Sequence, residues 1–152
     1  MTSPNGPKPA EILLVEDDEG DVLLTEEAFK SCRLPPHFST VQDGDEAMAF
    51  LRREGRFSDA PRPALILLDL NLPRKDGREL LAELKRTPPF QAIPVIVLTT
   101  SDSAQDILKA YELHANAYLT KPLNLDRFME VAQRVEEFWL ETARLPASGL
   151  DS

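Results

Sequence analysis

The amino-acid sequence predicts an α/β doubly wound domain, with five parallel strands in the order 2-1-3-4-5 and helices on both faces. Three observations carry that prediction. Five short apolar segments alternate with five segments of helical periodicity, the pattern of right-handed βαβ units. Leu65-Ile66-Leu67-Leu68 and Val95-Ile96-Val97-Leu98 are apolar throughout, as strands buried on both faces of a parallel sheet are. The apolar segments stop at polar residues, where open α/β sheets place their ligands.

Residues 1–10 contain three prolines and little to bury, which predicts a disordered lead-in. Glu11 to Val15 is a first strand that stops at the acids Glu16, Asp17 and Asp18. Apolar residues at 22, 24, 28, 29 and 32 then follow helical spacing. Acids at the front suit the positive end of that helix, which accounts for one or two of the three. Pro35-Pro36 breaks the chain, and His37 to Val41 reads as a second strand turned by Asp43-Gly44. Asp45 to Arg53 is a second helix, and 55–63 a polar, proline-containing loop. The central strand covers 64–68, and Lys75 to Arg86 is a third helix ended by Pro88-Pro89. The fourth strand ends at Thr99, Thr100 and Ser101, and a helix follows from Ser103 to His114. Ala117 to Thr120 is a fifth strand ending at Lys121-Pro122, and a last helix runs from Asn124 or Asp126 to Thr142. These boundaries give a domain over 11–142 and a short tail over 143–152.

Composition narrows the function classes. The 152 residues suffice for one domain with a core, and a net charge of −9 without a basic cluster argues against nucleic acid. No run approaches the roughly 18 apolar residues of a membrane span, and the N-terminus lacks the apolar stretch of a secretory signal. The single cysteine, Cys32, cannot form an internal disulfide and reads as a helix-packing residue in a reducing cytoplasm. Zinc-type spacings and glycine-rich phosphate loops are absent from the sequence.

In the predicted sheet, strand ends one, three, four and five bring together Glu16 and Asp17, Asp69, Thr99, and Lys121. Clustered carboxylates need a counter-charge, and their hard oxygens suit Mg²⁺, which takes one or two of them with waters and phosphate oxygens. A lysine and a hydroxyl on the opposite rim could bind the rest of a phosphoryl group. Each residue also has a plainer reading. Asp69 could cap a turn, Thr99 could start a helix, Tyr118 could be an ordinary strand aromatic, and Lys121 could lie on the surface.

With Glu16-Asp17, Asp69, Thr99, Tyr118 and Lys121-Pro122 in that order, the chain resembles the receiver domains of two-component response regulators, whose fold is flavodoxin-like. The resemblance covers about residues 10–142. It implies that Asp69 accepts a phosphoryl group from a phosphohistidine of a sensor histidine kinase, as an aspartyl phosphate. It further implies Mg²⁺ held by Asp17, Asp69 and the backbone carbonyl of Asn71, with Glu16 acting through water. Lys121 would pair with Asp69 and then with the phosphoryl group, Thr99 would hydrogen-bond the phosphate, and Tyr118 would swing inward. The Lys121–Pro122 peptide is commonly cis in this family. Such a protein is a signalling phosphoacceptor that catalyses only its own phosphorylation and dephosphorylation. Two departures stand out. Glu16 replaces a common aspartate, and Thr100 is larger than usual and would narrow access to the phosphate.

A haloacid-dehalogenase-type phosphohydrolase would also place an aspartate after an apolar strand. It needs a second acid two residues on, where this chain has Asn71, and an amide does not exchange protons usefully near neutral pH. A receiver joined to a DNA-binding effector is a third reading, but only about ten residues follow the last helix, which leaves a stand-alone receiver.

Phe138, Trp139 and Leu140 are adjacent and cannot all face one way. They suggest an interface, with folding back over the fifth strand as the alternative. The run Glu136 to Leu140, the loop 55–63 and Leu70-Asn71-Leu72-Pro73 resemble small receivers that partner phytochrome-type histidine kinases. That subgroup implies a cognate sensor histidine kinase, such as a bacteriophytochrome, as partner and a homodimer, and receivers of the wider family commonly dimerise on the face of the fourth helix, fifth strand and fifth helix.

Overall fold

The computed structural model describes residues 9–142. The strands are β1 (Glu11–Val15), β2 (His37–Val41), β3 (Leu65–Leu68), β4 (Val95–Thr99) and β5 (Ala117–Thr120). The helices are α1 (Glu19–Phe29), α2 (Gly44–Arg52), α3 (Gly77–Arg86), α4 (Ala104–Glu112) and α5 (Leu125–Val135). All strands pair in parallel, in the order β2-β1-β3-β4-β5, as the alternation predicts. Ala10, assigned to the lead-in, already accepts from the N–H of His37 (2.8 Å). Residues 1–8 of that lead-in and the tail 143–152 lie outside the described residues.

Alternate strand residues feed two apolar layers. Leu13, Val15, Ile66, Leu68, Val95 and Val97 pack with residues of α2, α3 and α4, such as Met48, Leu81 and Ala110. Ile12, Leu14, Leu65, Leu67, Ile96 and Leu98 pack with residues of α1 and α5, such as Phe29 and Phe128. Burial on both faces is why the central strands read as unbroken apolar runs. Cys32 lies in the second layer, where its thiol donates to the carbonyl of Ala132 (3.5 Å).

Each α-helix opens on a side chain that accepts from a backbone N–H: Asp18, Asp43, Asp76, Ser103 and Asn124. These caps correct several boundaries. Asp76 is the cap of α3, so the helix starts at Gly77 and not at Lys75. Asp43 caps α2 in the same way, and the loop 55–63 contains a 3₁₀ turn at Gly55–Phe57.

The last helix also differs from expectation. It is α-helical only to Val135 and continues as a π-helix over Glu136–Thr142. Glu136 stands at the junction. Its buried carboxylate accepts from the N–H groups of Arg33 (2.9 Å) and Leu34 (2.8 Å), after α1. That anchor is made where the regular winding stops. Beyond it the three apolar residues divide. Trp139 and Leu140 pack against the second core layer, and Phe138 is 55% exposed.

Candidate functional site

The sheet register carries the candidate residues to one edge. Val15, Leu68, Val97 and Tyr118 lie side by side across four strands. The next hydrogen bonds extend the ladder past the strand ends. Glu16 N–H donates to the carbonyl of Val41 (2.9 Å), Asp69 N–H to that of Val15 (3.1 Å), and Lys121 N–H to that of Thr99 (2.7 Å). Strand pairing thus positions the backbones of Glu16, Asp69 and Lys121.

The side chains converge there. Glu16 (2% exposed), Asp69 (7%) and Lys121 (9%) are buried, which for charged groups demands partners. Lys121 Nζ donates to Glu16 Oε2 (2.7 Å), Asp21 Oδ2 (2.8 Å) and Asp69 Oδ2 (3.1 Å). The remaining oxygens are also engaged. Glu16 Oε1 accepts from the N–H of Asp18 (3.1 Å), and Asp69 Oδ1 from that of Asn71 (3.1 Å). Burial, with Asp69 alongside, pushes the Glu16 carboxyl up to about 7. For Lys121, burial works against the charge, but hydrogen bonds to Asp21 and Glu16 outweigh it and raise the ammonium above its ordinary value.

Glu16, Asp17 and Asp69 each offer an oxygen within 4.8 Å of the others. Hard oxygens in that arrangement fit a divalent cation. Asp17 is the exposed member and points the group toward solvent, whereas Asp18, grouped with it in sequence, is committed to the start of α1. Thr99 is fully buried, and its hydroxyl has no hydrogen-bond partner among the described residues. Buried hydroxyls normally find one.

Tyr118 is half-buried at the rim of the first core layer, and its hydroxyl donates to the carbonyl of Ser101 (2.8 Å). Thr100 is exposed, and Pro122 is half-buried. The expected cis Lys121–Pro122 bond is not found: no cis peptide occurs among the described residues. Lys121 is held instead by its backbone bond to Thr99 and by the three acids.

Asp21 is the residue that sequence reading missed. It sits in the first turn of α1, where an acid is explained by the helix dipole alone. Nothing local announces its contact with a lysine 100 positions away. Asp106 is a second case. Its carboxylate accepts from Arg78 Nη2 (2.9 Å) and Ser101 Oγ (2.6 Å), tying the loop after β4 to α3.

The response regulator receiver domain profile matches residues 12–133. The chain is 51% identical over 140 residues to response regulator Rcp1 of Synechocystis sp., covering 92% of this chain and 95% of that protein. It superposes on the phosphorylated cyanobacterial phytochrome response regulator RcpA with a TM-score of 0.86 at 51% identity, over 92% of this chain and 100% of that one. The Mn²⁺-bound form of Rcp1 gives a TM-score of 0.83 at 51% identity, over 91% and 100% of the two chains. The haloacid-dehalogenase reading is not favoured: Asn71, in place of the acid such an enzyme needs, is an exposed amide. No helix among the described residues is long and apolar enough to cross a membrane. A five-stranded sheet in this order, acids and a lysine at its carboxyl edge, and a profile match over most of the length identify the chain as a member of the response regulator receiver domain family.

Proposed function

We propose that this receiver takes a phosphoryl group from the phosphohistidine of a phytochrome-type sensor histidine kinase onto Asp69. The observation that carries the reading is the contact of Asp69 with Lys121 Nζ at 3.1 Å, beside the acids Glu16 and Asp17. An Asp69 oxygen attacks phosphorus, the O–P bond forms as the P–N bond breaks, and the electron pair leaves with the imidazole. A Mg²⁺ held by Asp17, Asp69 and the Asn71 carbonyl, with Glu16 through water, would neutralise charge on the transferring oxygens. Lys121 turns one N–H from Asp69 to a phosphoryl oxygen. Thr99 turns its unpartnered hydroxyl to another, and Thr100 stands at the entrance. Tyr118 exchanges its bond to Ser101 for an inward position, which carries the change to the face of α4, β5 and α5. The protein acts as a signalling phosphoacceptor in the cytoplasm, a homodimer through that face and the residues Phe138, Trp139 and Leu140.

The test is labelling by acetyl phosphate with Mg²⁺, read by intact-mass spectrometry. One phosphoryl group per chain on Asp69 is expected, with none on an Asp69→Asn variant or in the presence of a chelator. Equal labelling of that variant overturns the assignment.

A further inference from the structure

Asp21 completes a closed ring of hydrogen bonds around the site. Lys121 Nζ donates to Glu16 Oε2 (2.7 Å), whose Oε1 accepts from Asp18 N–H (3.1 Å). Asp18 Oδ1 accepts from Asp21 N–H (2.8 Å), and Asp21 Oδ2 accepts from Lys121 Nζ (2.8 Å). The Asp21 carbonyl is also engaged, by Thr25 Oγ1 (2.7 Å). The first turn of α1 is thereby joined to the end of β5 through one buried ammonium.

Among the three acids on Lys121, Asp21 is the odd one. Glu16 and Asp69 belong to the group whose oxygens converge on a cation site, and Asp21 does not. Its side chain is 38% exposed, against 2% and 9% for Glu16 and Asp69. An ammonium has three N–H donors and no acceptor, so the three acids use all of them. A cation would draw on Glu16 and Asp69, and a phosphoryl group arriving on Asp69 would displace the Asp69 contact. The Asp21 contact alone need not change.

We infer that Asp21 is a positioning residue for phosphoryl transfer. Its carboxylate holds Lys121 Nζ from the α1 side while the remaining donors pass from acid to phosphoryl oxygen. The inference rests on the proposed roles of Asp69 and Lys121. An exposed ion pair would contribute little, but here the lysine is buried, and loss of one charged acceptor leaves its ammonium free to collapse onto Glu16 and Asp69. Positioning of reacting groups is a large component of transfer rates.

The experiment compares the full chain with Asp21→Ala and Asp21→Asn. Labelling by acetyl phosphate is followed across a Mg²⁺ titration, and Mn²⁺ affinity is read separately from water-proton relaxation. Asp21→Ala is expected to lower the labelling rate at saturating Mg²⁺ about tenfold. Asp21→Asn, which keeps the shape and loses the charge, should fall in the same direction, and it decides the matter if the alanine variant does not fold. Mn²⁺ affinity should stay within about threefold of wild type. In a Lys121→Ala background, removing Asp21 should alter the residual rate by less than about twofold, because both changes remove one interaction. A wild-type rate in both single variants overturns the inference. So does a deficit erased by saturating metal, or an additive effect in the Lys121→Ala background. Failure of the wild-type chain to label on Asp69 would instead overturn the proposed function.

Discussion

Asp43 and Arg74, 31 positions apart, clamp the start of α2 to the loop that leaves Asp69: the buried Asp43 carboxylate accepts from Arg74 Nε at 2.9 Å and also from Arg74 Nη2. Arg74 stands in the left-handed region at φ 57°, a conformation a non-glycine residue holds only when its surroundings impose it. A second contact reinforces the clamp, with Gly44 N–H donating to the carbonyl of Lys75 (3.1 Å). The loop that carries Asn71 is therefore fixed from its far end by α2.

A pH dependence follows from this pair. Burial by itself raises the Asp43 carboxyl, but the Glu46 N–H and the Arg74 guanidinium outweigh it and hold the carboxyl below its ordinary value. A carboxyl lower in the folded than in the unfolded state adds stability above its unfolded value, near 4. That stability is lost as pH falls through the folded value. Asp43→Asn keeps a capping side chain and loses the charge, so it should be about 1 kcal/mol less stable at pH 7. Urea midpoints at pH 7 and pH 3 check this: the gap should narrow at pH 3, and an unchanged gap contradicts the account.

Gly77 is required for space. A Cβ there would lie 2.4 Å from the carbonyl oxygen of Asp69 and 2.6 Å from Leu70 Cα, both backbone atoms. Gly77→Ala must therefore move the strand end that presents Asp69. It should destabilise the fold by about 1–3 kcal/mol. Labelling of Asp69 should also slow at temperatures where the variant is fully folded. Melting by circular dichroism beside acetyl phosphate labelling separates the two effects, and wild-type labelling in the folded variant would contradict the role of this close approach.

Lys121→Ala removes the cation that touches Glu16, Asp21 and Asp69. The acids then repel one another, and Lys121 no longer competes with a bound divalent ion. Mn²⁺ affinity is expected to rise several-fold, and the melting temperature to fall without metal and recover with it. Titration by proton relaxation and paired melts are the measurements. Weaker Mn²⁺ binding by the variant would show that Lys121 organises the ligands more than it opposes the ion.

The division of the apolar triplet gives an assembly test. Phe138 is exposed, and its ring meets that of Trp139 edge-on with centroids 5.2 Å apart. Phe138→Ala should leave the melting temperature of the fold nearly unchanged and weaken the proposed homodimer by one to two orders of magnitude, since a buried aromatic contributes roughly 2 kcal/mol. Trp139→Ala should lower both, because Trp139 also packs on its own domain. Light scattering at micromolar concentration reads association. A monomeric wild type, or a Phe138→Ala variant with unaltered association, places the interface elsewhere or removes it.

The sequence by itself determined the sheet, because burial on both faces forces apolar runs and burial on one face forces helical periodicity, both short-range patterns. It also determined which candidate residues would share an edge: Glu16, Asp17, Asp69 and Lys121 each follow a strand and Thr99 ends one, and parallel order brings such positions together. Tertiary structure alone decided the partners. The contact of Asp21 with Lys121 spans 100 positions, the clamp of Asp43 on Arg74 spans 31, and the anchor of Glu136 on the turn after α1 spans about 100. Past that anchor, at the start of the π-helix, Trp139 packs on the core and Phe138 stays outside. Local patterns record how deeply a residue is buried and on which face. They carry no record of which charged group from a distant segment meets it, because that is settled only when the helices dock on the sheet and buried charges must find partners.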